Sequence, residues 1–342
     1  MPRRRIRRPN WPYRLAWCAI VGSLLLYIGL GTLIGGLTYG QRSFGTNWWI
    51  AFVTTGMSAT IAAWFVALGA SIGSFLNVVA YRLPIGRTVG GHSGCPYCGS
   101  AIARGDNVPV LAWLKLRGRC RTCRLPISPQ YPLVEFLVAM IFLAVFFTEV
   151  ARGGANLPSG RVYQVYQGEV TSTLVMRLAS YLALLSGLVA AGLIVVKRQT
   201  VPLKLFAWSL FPLAISAASD PAAVVVLWRA AKTLGPIDGR LNSVATVGLG
   251  FLAGCIIGWM LSWILYRRTQ SAKAWIAGLA SASALVGWQG ALPLAVLMIT
   301  SWLVGRYLFR RIADRLAVDD PAVWMWFGLL LFRALWKPLN FF

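Results

Sequence analysis

The sequence predicts an all-α polytopic membrane protein that carries a small four-cysteine module on its cytoplasmic side, and three observations predict it. Hydrophobic residues make up 58% of the 342 and charged residues only 12%, too few polar groups to cover a soluble globule. Apolar runs long enough to cross ~30 Å of hydrocarbon recur along the chain, separated by short basic or Pro/Gly-rich connectors. Cys95-Pro-Tyr-Cys98 and Cys120-Arg-Thr-Cys123 form two C-x2-C pairs with 21 residues between them, the spacing of a closed structural zinc site.

The chain divides accordingly. Residues 1–48 hold a basic N-terminus and a first span, roughly Leu15 to Tyr39. Met1 to Asn10 has five arginines and no acid, so it stays cytoplasmic as an uncleaved first helix inserts. Residues 49–140 hold a second span (Trp49 to about Ala80), the zinc-stapled module (82–126) and the start of a third span, Tyr131 to Val150. Residues 141–342 form a multi-span region with apolar segments near Leu174–Val196, Leu203–Ala218, Val244–Tyr266, Ala274–Val304 and Ala322–Leu335. The segment ending at Val304 contains Pro293 and reads either as one helix or as two short helices hinged around Trp288-Gln-Gly290, giving eight or nine membrane segments in all. The formal charge of +24 sits in short clusters beside apolar runs, among them Lys197-Arg198, Arg267-Arg268 and Arg310-Arg311. Without aromatic-interleaved basic faces, that pattern is positive-inside topology and excludes a nucleic-acid partner.

The module carries the clearest chemistry. Cys95, Cys98, Cys120 and Cys123 supply four thiolates, which leave no open position for water, so Zn2+ here holds the fold together and does no chemistry itself. Reduced pairs or two disulfides are the alternatives; six cysteines in 342 residues is not a disulfide-rich composition. Cys18 and Cys255 read as small apolar residues, and His92 as a loop residue. Arg82 to Arg124 hold eight Lys or Arg against one acid, Asp106, which places the module in the cytoplasm near anionic head groups. Asp106-Asn107-Val-Pro109 caps a turn. Gly69, Gly73 and Asn77 share one helix face, read either as close helix packing or as the polar corner of a cavity. Glu135 sits near the start of the third span, where it caps the helix, pairs with Asn77 or a module arginine, or contacts substrate.

The strings GASIGSFLNVVAYRLP (69–84), CPYC (95–98), DNVPVLAWLKLRGRCRTC (106–123) and ISPQYPLVEFLVA (127–139) resemble the prepilin leader peptidase family, the membrane aspartic peptidases and N-methyltransferases of type IV pilus and type II secretion systems. The resemblance covers about residues 66–140, with a weaker topological likeness to about residue 305. It implies a bacterial inner (cytoplasmic) membrane protein that cleaves a short basic leader from a prepilin or pseudopilin and methylates the new N-terminus with S-adenosylmethionine. It also implies two aspartates, one in a span followed by a Pro-Asp or Pro-Asn step and one in a GxGD motif, whose proton affinities split so that one activates water while the other donates a proton.

This chain departs from that pattern. The first segment resembles LIVVKRQTVPLKLFAW (193–208), with Val195 at the expected aspartate and Leu203 after Pro202; the second is compared with GWQG (287–290), with Gly290 for the acid. Residues 239–313 contain no carboxylate. Asp220 and Asp238 read as a helix boundary and a turn, and a relocated dyad is the alternative. The sequence therefore predicts a prepilin peptidase-like protein degenerate for aspartic endopeptidase activity, in contact with membrane lipid and with a role in prepilin or pseudopilin handling. Active leader peptidase, retained methyl transfer involving Asn77, Asp106 and Glu135, and a non-enzymatic assembly protein are its rivals.

Overall fold

The computed structural model describes residues 11–40, 48–91, 93–151, 172–220, 236–265, 271–309 and 319–335. The basic N-terminus 1–10, His92, the 152–171 connector, Arg267-Arg268, Arg310-Arg311, Glu169 and Asp314 lie outside the described residues. The described chain is all-helical: two isolated bridges, Gly94–Ala101 and Arg119–Pro126, are its only β pairings.

Helices α1 (Trp11–Gly40), α2 (Trp48–Arg82), α3 (Leu111–Leu116), α4 (Gln130–Val145, running into a π-helical turn at Phe146–Val150), α5 (Ser172–Val196), α6 (Lys204–Ser219), α7 (Pro236–Leu265), α8 (Ala272–Val286), α9 (Ala291–Leu308) and α10 (Met325–Leu335) follow in order. Six helical stretches are long and apolar enough to cross a membrane, and three shorter apolar ones accompany them, at Lys204–Ser219, Ala272–Val286 and Pro321–Leu335. They are uniformly apolar because the lipid-facing side needs apolar groups as much as the packed side does. Leu24, Leu25 and Leu26 of α1 are exposed in this way.

The Ala274–Val304 segment is two helices, and Pro293 is not the hinge. Gly287, at φ +82°, takes a backbone that an L side chain rarely adopts, and a 3-10 turn at Trp288–Gly290 restarts the helix. Pro293 falls in the first turn of α9, where its missing N–H costs no intrahelical bond. A second boundary is set by Asp320, whose carboxylate accepts the Ala322 N–H at 2.9 Å ahead of Pro321.

The chain forms two compact units, whose boundaries fall inside α2 and α4: residues 1–74 with 90–143, and residues 75–89 with 144–342. In the first, Tyr27 and Ser58 hydroxyls join α1 to α2 at 2.8 Å. Gly69 and Gly73 bring α2 against α4 so closely that a Cβ would lie 2.8 Å from the Val138 carbonyl oxygen and from Glu135 Cα, the close backbone approach the two glycines predict.

The second unit is a bundle whose contacts fix each helix direction. α5 and α6 run antiparallel, Gly187 on Ser209 and Ser180 hydrogen-bonded to Ser216 at 2.9 Å. α7 and α8 run antiparallel through Gly254 on Ala280 and Gly258 on Ile276. α10 runs antiparallel to α5, with Val323 of the preceding turn on Gly192 and Arg333 on Tyr181, and antiparallel to α9 through Gly328 on Met298. Small residues at the crossings let backbones meet where no hydrophobic drive exists between apolar surfaces.

Candidate functional site

The two cysteine pairs fold as copies of one another, 25 residues apart. In the first, Gly99 N–H donates to Cys95 O at 2.9 Å and Cys95 N–H to Ser100 O at 3.0 Å; in the second, Arg124 N–H donates to Cys120 O at 3.1 Å and Cys120 N–H to Leu125 O at 2.9 Å. Each turn aims two sulfurs inward, and all four lie within 4.8 Å of one another. Cys95 and Cys123 sulfurs are 3.8 Å apart, the separation of about 3.8 Å that 2.3 Å metal–sulfur bonds make at a tetrahedral angle. A disulfide needs about 2.05 Å, and all six cysteines are free. The soft, closed donor set fits a tetrahedral thiolate-bound metal. The Ser100 hydroxyl, then the Ser100 amide, lower the Cys98 thiol to about 6, whereas the Cys123 thiol is pushed up to about 11.

The loop between the knuckles is held by charge and by one aromatic. Asp106, buried, takes a bidentate pair of hydrogen bonds from Arg121, one of them 2.5 Å, with Lys115 Nζ at 3.6 Å. The Arg121 hydrogen bonds hold its carboxyl below the ordinary range. Trp113 donates its indole N–H to Ile127 O at 3.0 Å, and its ring lies where a Cβ on Gly118 (φ +64°) would be. Glu135 accepts the backbone N–H of Val110 at 2.6 Å and a hydrogen bond from the Ser74 side chain. It thereby anchors the module to α4. Val110 adopts φ 60°, ψ −54°, with Leu111 N–H bonded to Pro109 O at 2.6 Å, a γ-turn of the strained hand for a β-branched residue. The sequence offers a cap or a pairing for Glu135; the partner it finds is a backbone amide, invisible in any side-chain pattern.

Residues 67–148 match the bacterial peptidase A24 N-terminal domain family. The chain is 49% identical over 84 residues to the prepilin leader peptidase/N-methyltransferase of Myxococcus xanthus, covering 24% of this chain and 25% of that relative. It is 29% identical over 296 residues to the protein of the same description from Pectobacterium carotovorum, covering 78% of this chain and 91% of the relative. A similar protein from Aeromonas hydrophila is 28% identical over 69% of this chain and 76% of its own length. Residues 67–148 thus carry the bacterial peptidase A24 N-terminal domain, and the chain as a whole is similar to prepilin leader peptidase/N-methyltransferases. No solved structure matches it.

The two positions compared above, Val195 and Gly290, both fall in the second unit, and its register separates them. Gly192 packs on Val323 at one end of the unit and Tyr181 on Arg333 at the other. Val195, buried, lies at the Gly192 end, whereas Gly290 packs on Phe332, beside Arg333, at the opposite end. With 1.5 Å per residue, the 14 residues from Tyr181 to Val195 put the two levels ~21 Å apart. Val195 and Gly290 thus lie at opposite ends of the second unit. Gly278 packs on Leu188, so the start of α8 points toward the Val195 end, and there Trp275 is fully buried.

The remaining acids that the sequence reading named lie apart along the chain. Asp220 is the C-cap of α6 and accepts the Thr173 hydroxyl, and Asp238 lies in the first turn of α7. Asn77 is buried in the second unit; Asp106 and Glu135, in the first, serve different partners. Two groups escaped the sequence reading. Asp319-Asp320 sits at the Val195 end, just ahead of Val323, signalled by the Asp-Pro helix start. At the opposite end Glu149, in the π-turn, receives Arg333 Nη2 at 2.9 Å and Nε at 3.0 Å, with the guanidinium 4.6 Å from the centre of the Tyr181 ring. One acid and one base in separate apolar spans, 184 residues apart, carry no local signal of pairing.

Proposed function

We propose that this chain is a prepilin-handling membrane protein that binds the apolar helix of a prepilin or pseudopilin without cutting it by an aspartic mechanism. The observation that supports it is the Val195 end of the second unit. Val195 stands there for a carboxylate, the α8 segment arriving at that end is acid-free and buries Trp275, and a two-carboxylate mechanism needs both acids within reach of one water. On this reading the four cysteines hold structural Zn2+ and the module and N-terminus face the cytoplasm of the inner membrane, as the five arginines of residues 1–10 favour. No glycine-rich nucleotide fingerprint accompanies Asn77, Asp106 and Glu135, so S-adenosylmethionine has no sequence-level site.

Detergent-purified protein incubated with a prepilin, with and without S-adenosylmethionine, should leave the intact mass of the substrate unchanged while co-purifying with it. Leader loss overturns the reading. One specific alternative is favoured by geometry: Asp319-Asp320 lies at the expected end, and cleavage abolished by D319N or D320N would identify it as a relocated acid pair. A mass gain of one methylene, dependent on the cofactor, would establish methyl transfer separately.

A further inference from the structure

Among the described residues four that are not glycine have positive φ, and three of them are arginines: Arg117 (57°), Arg124 (64°) and Arg198 (55°). Two occupy the same station at a helix end. Gly118 N–H reaches Trp113 O at 2.9 Å while Arg117 N–H reaches Leu114 O at 3.2 Å. Gln199 N–H likewise reaches Ile194 O at 3.2 Å while Arg198 N–H reaches Val195 O at 2.7 Å. This is the paired-bond close that normally places glycine in the left-handed position. Arg124 occupies the station that Gly99, at φ 67°, fills in the first knuckle. Glycine takes this conformation without a clash and an L side chain does not. The backbone gains nothing from arginine at these positions, so the reason for it lies in the side chains, and all three residues are exposed.

What surrounds the two module arginines narrows the partner. Arg119 is exposed between them in sequence, and Asp106, the one acid from Arg82 to Arg124, is already engaged by Arg121 and Lys115. The same knuckles expose Tyr97 (65%) and Leu125 (44%). Cations interleaved with exposed apolar side chains on a rigid metal-held turn match the headgroup layer, where phosphates meet the first methylenes. A basic peptide is repelled by the same charges.

We propose that the metal module lies on the membrane surface, with Arg117, Arg119 and Arg124 on the phosphates of anionic phospholipids and Tyr97 and Leu125 seated among the headgroups. The full chain, metal loaded, is placed in nanodiscs of phosphatidylcholine with increasing phosphatidylglycerol, and hydrogen exchange is read on peptides covering residues 94–126. The expected result is protection that grows with phosphatidylglycerol and is lost in molar salt. R117G and R124G should each raise the phosphatidylglycerol fraction needed for half protection roughly fivefold, yet unfold in detergent at the same or a higher temperature, because glycine relaxes the left-handed turn. R117K and R124K should keep the lipid dependence. Should a glycine variant lose its metal, R117Q and R124Q read the same dependence. Equal protection in phosphatidylcholine alone, or glycine and glutamine variants with unchanged dependence, overturns the proposal; protection that appears only with an added acidic protein assigns the surface to that partner instead.

Discussion

At the scale of single residues, one contact that fastens the four-cysteine module to α4 is a carboxylate on a backbone amide. Glu135 holds the Val110 N–H at 2.6 Å and so sustains a γ-turn that a β-branched residue resists. E135A removes a charge-assisted bond and should destabilise the protein by about 1.5–3 kcal/mol, with E135Q losing less because its amide oxygen still accepts. Hydrogen exchange at the Val110 amide checks it: unchanged exchange in E135A would show that the turn stands without its anchor. Asp106 makes a prediction with a defined sign. Its carboxyl is held below the ordinary 3.8 by Arg121, so the folded state binds fewer protons there than the unfolded chain, and the stabilisation is complete at neutral pH. Thermal unfolding of wild type and D106N should therefore differ at pH 7 and converge only as pH falls below about 3.8. The sequence could nominate Asp106 and Glu135, because an acid among eight cations and an acid at a helix start are both conspicuous. It could not supply Val110, because a positive-φ γ-turn at a valine follows from tertiary contacts and not from propensity.

At the scale of elements, the knuckles offer a test of how far a metal, on the proposed zinc reading, substitutes for a core. Residues 94–101 and 119–126 are defined by their paired turns and bridges and by the Arg121–Asp106 pair, and a segment of that size buries too little apolar area to fold unaided. If the proposed zinc is bound, chelation, or C98S, should remove it and release protection across both copies together, because four ligands on two turns form one cooperative unit; metal analysis with hydrogen exchange reads both. Loss confined to residues 95–101 would mean that the second knuckle stands alone. This element was legible because C-x2-C spacing dictates the turn. Most spans were legible for the same kind of reason, since hydrocarbon imposes length and apolarity on every helix that crosses it. The break between α8 and α9 was only half legible: Pro293 attracts attention, but a proline in a first turn is harmless, and the chain turns at Gly287. The 25-residue repeat was hidden because backbone hydrogen bonds carry it while the residues differ, arginine standing for glycine and leucine for serine.

At the scale of the second unit as a whole, the question is what selects one arrangement of helices that are all apolar and all able to pack. Hydrophobic burial cannot discriminate, since lipid satisfies an apolar face as well as a neighbour does. Glycine crossings set which backbones approach, but a helix can slide one turn and find another small residue. The Glu149–Arg333 pair removes that freedom, because both groups are buried and each one's charge is compensated only when the end of α4 and the end of α10 are in register. The ring of Tyr181 on α5 closes over the guanidinium and ties a third helix to the same point. The family's N-terminal motifs, by contrast, lie in residues 67–148, so this pair was out of sight of any comparison that rests on them. The expected behaviour of the pair separates register from raw stability. E149Q and R333M each strand one buried charge and should cost about 3–5 kcal/mol, seen as a lower unfolding temperature and a shift toward aggregate in size exclusion. The double variant E149L/R333L strands neither. If the pair chiefly selects register, the double variant should recover the unfolding temperature of the wild type but elute as a mixture of states, with cross-linking between cysteines placed at positions 192 and 323, which pack together in the native bundle, becoming heterogeneous. Recovery of both temperature and a single cross-linking pattern would show that the glycine crossings suffice to choose the arrangement, and that the ion pair only stabilises a choice already made.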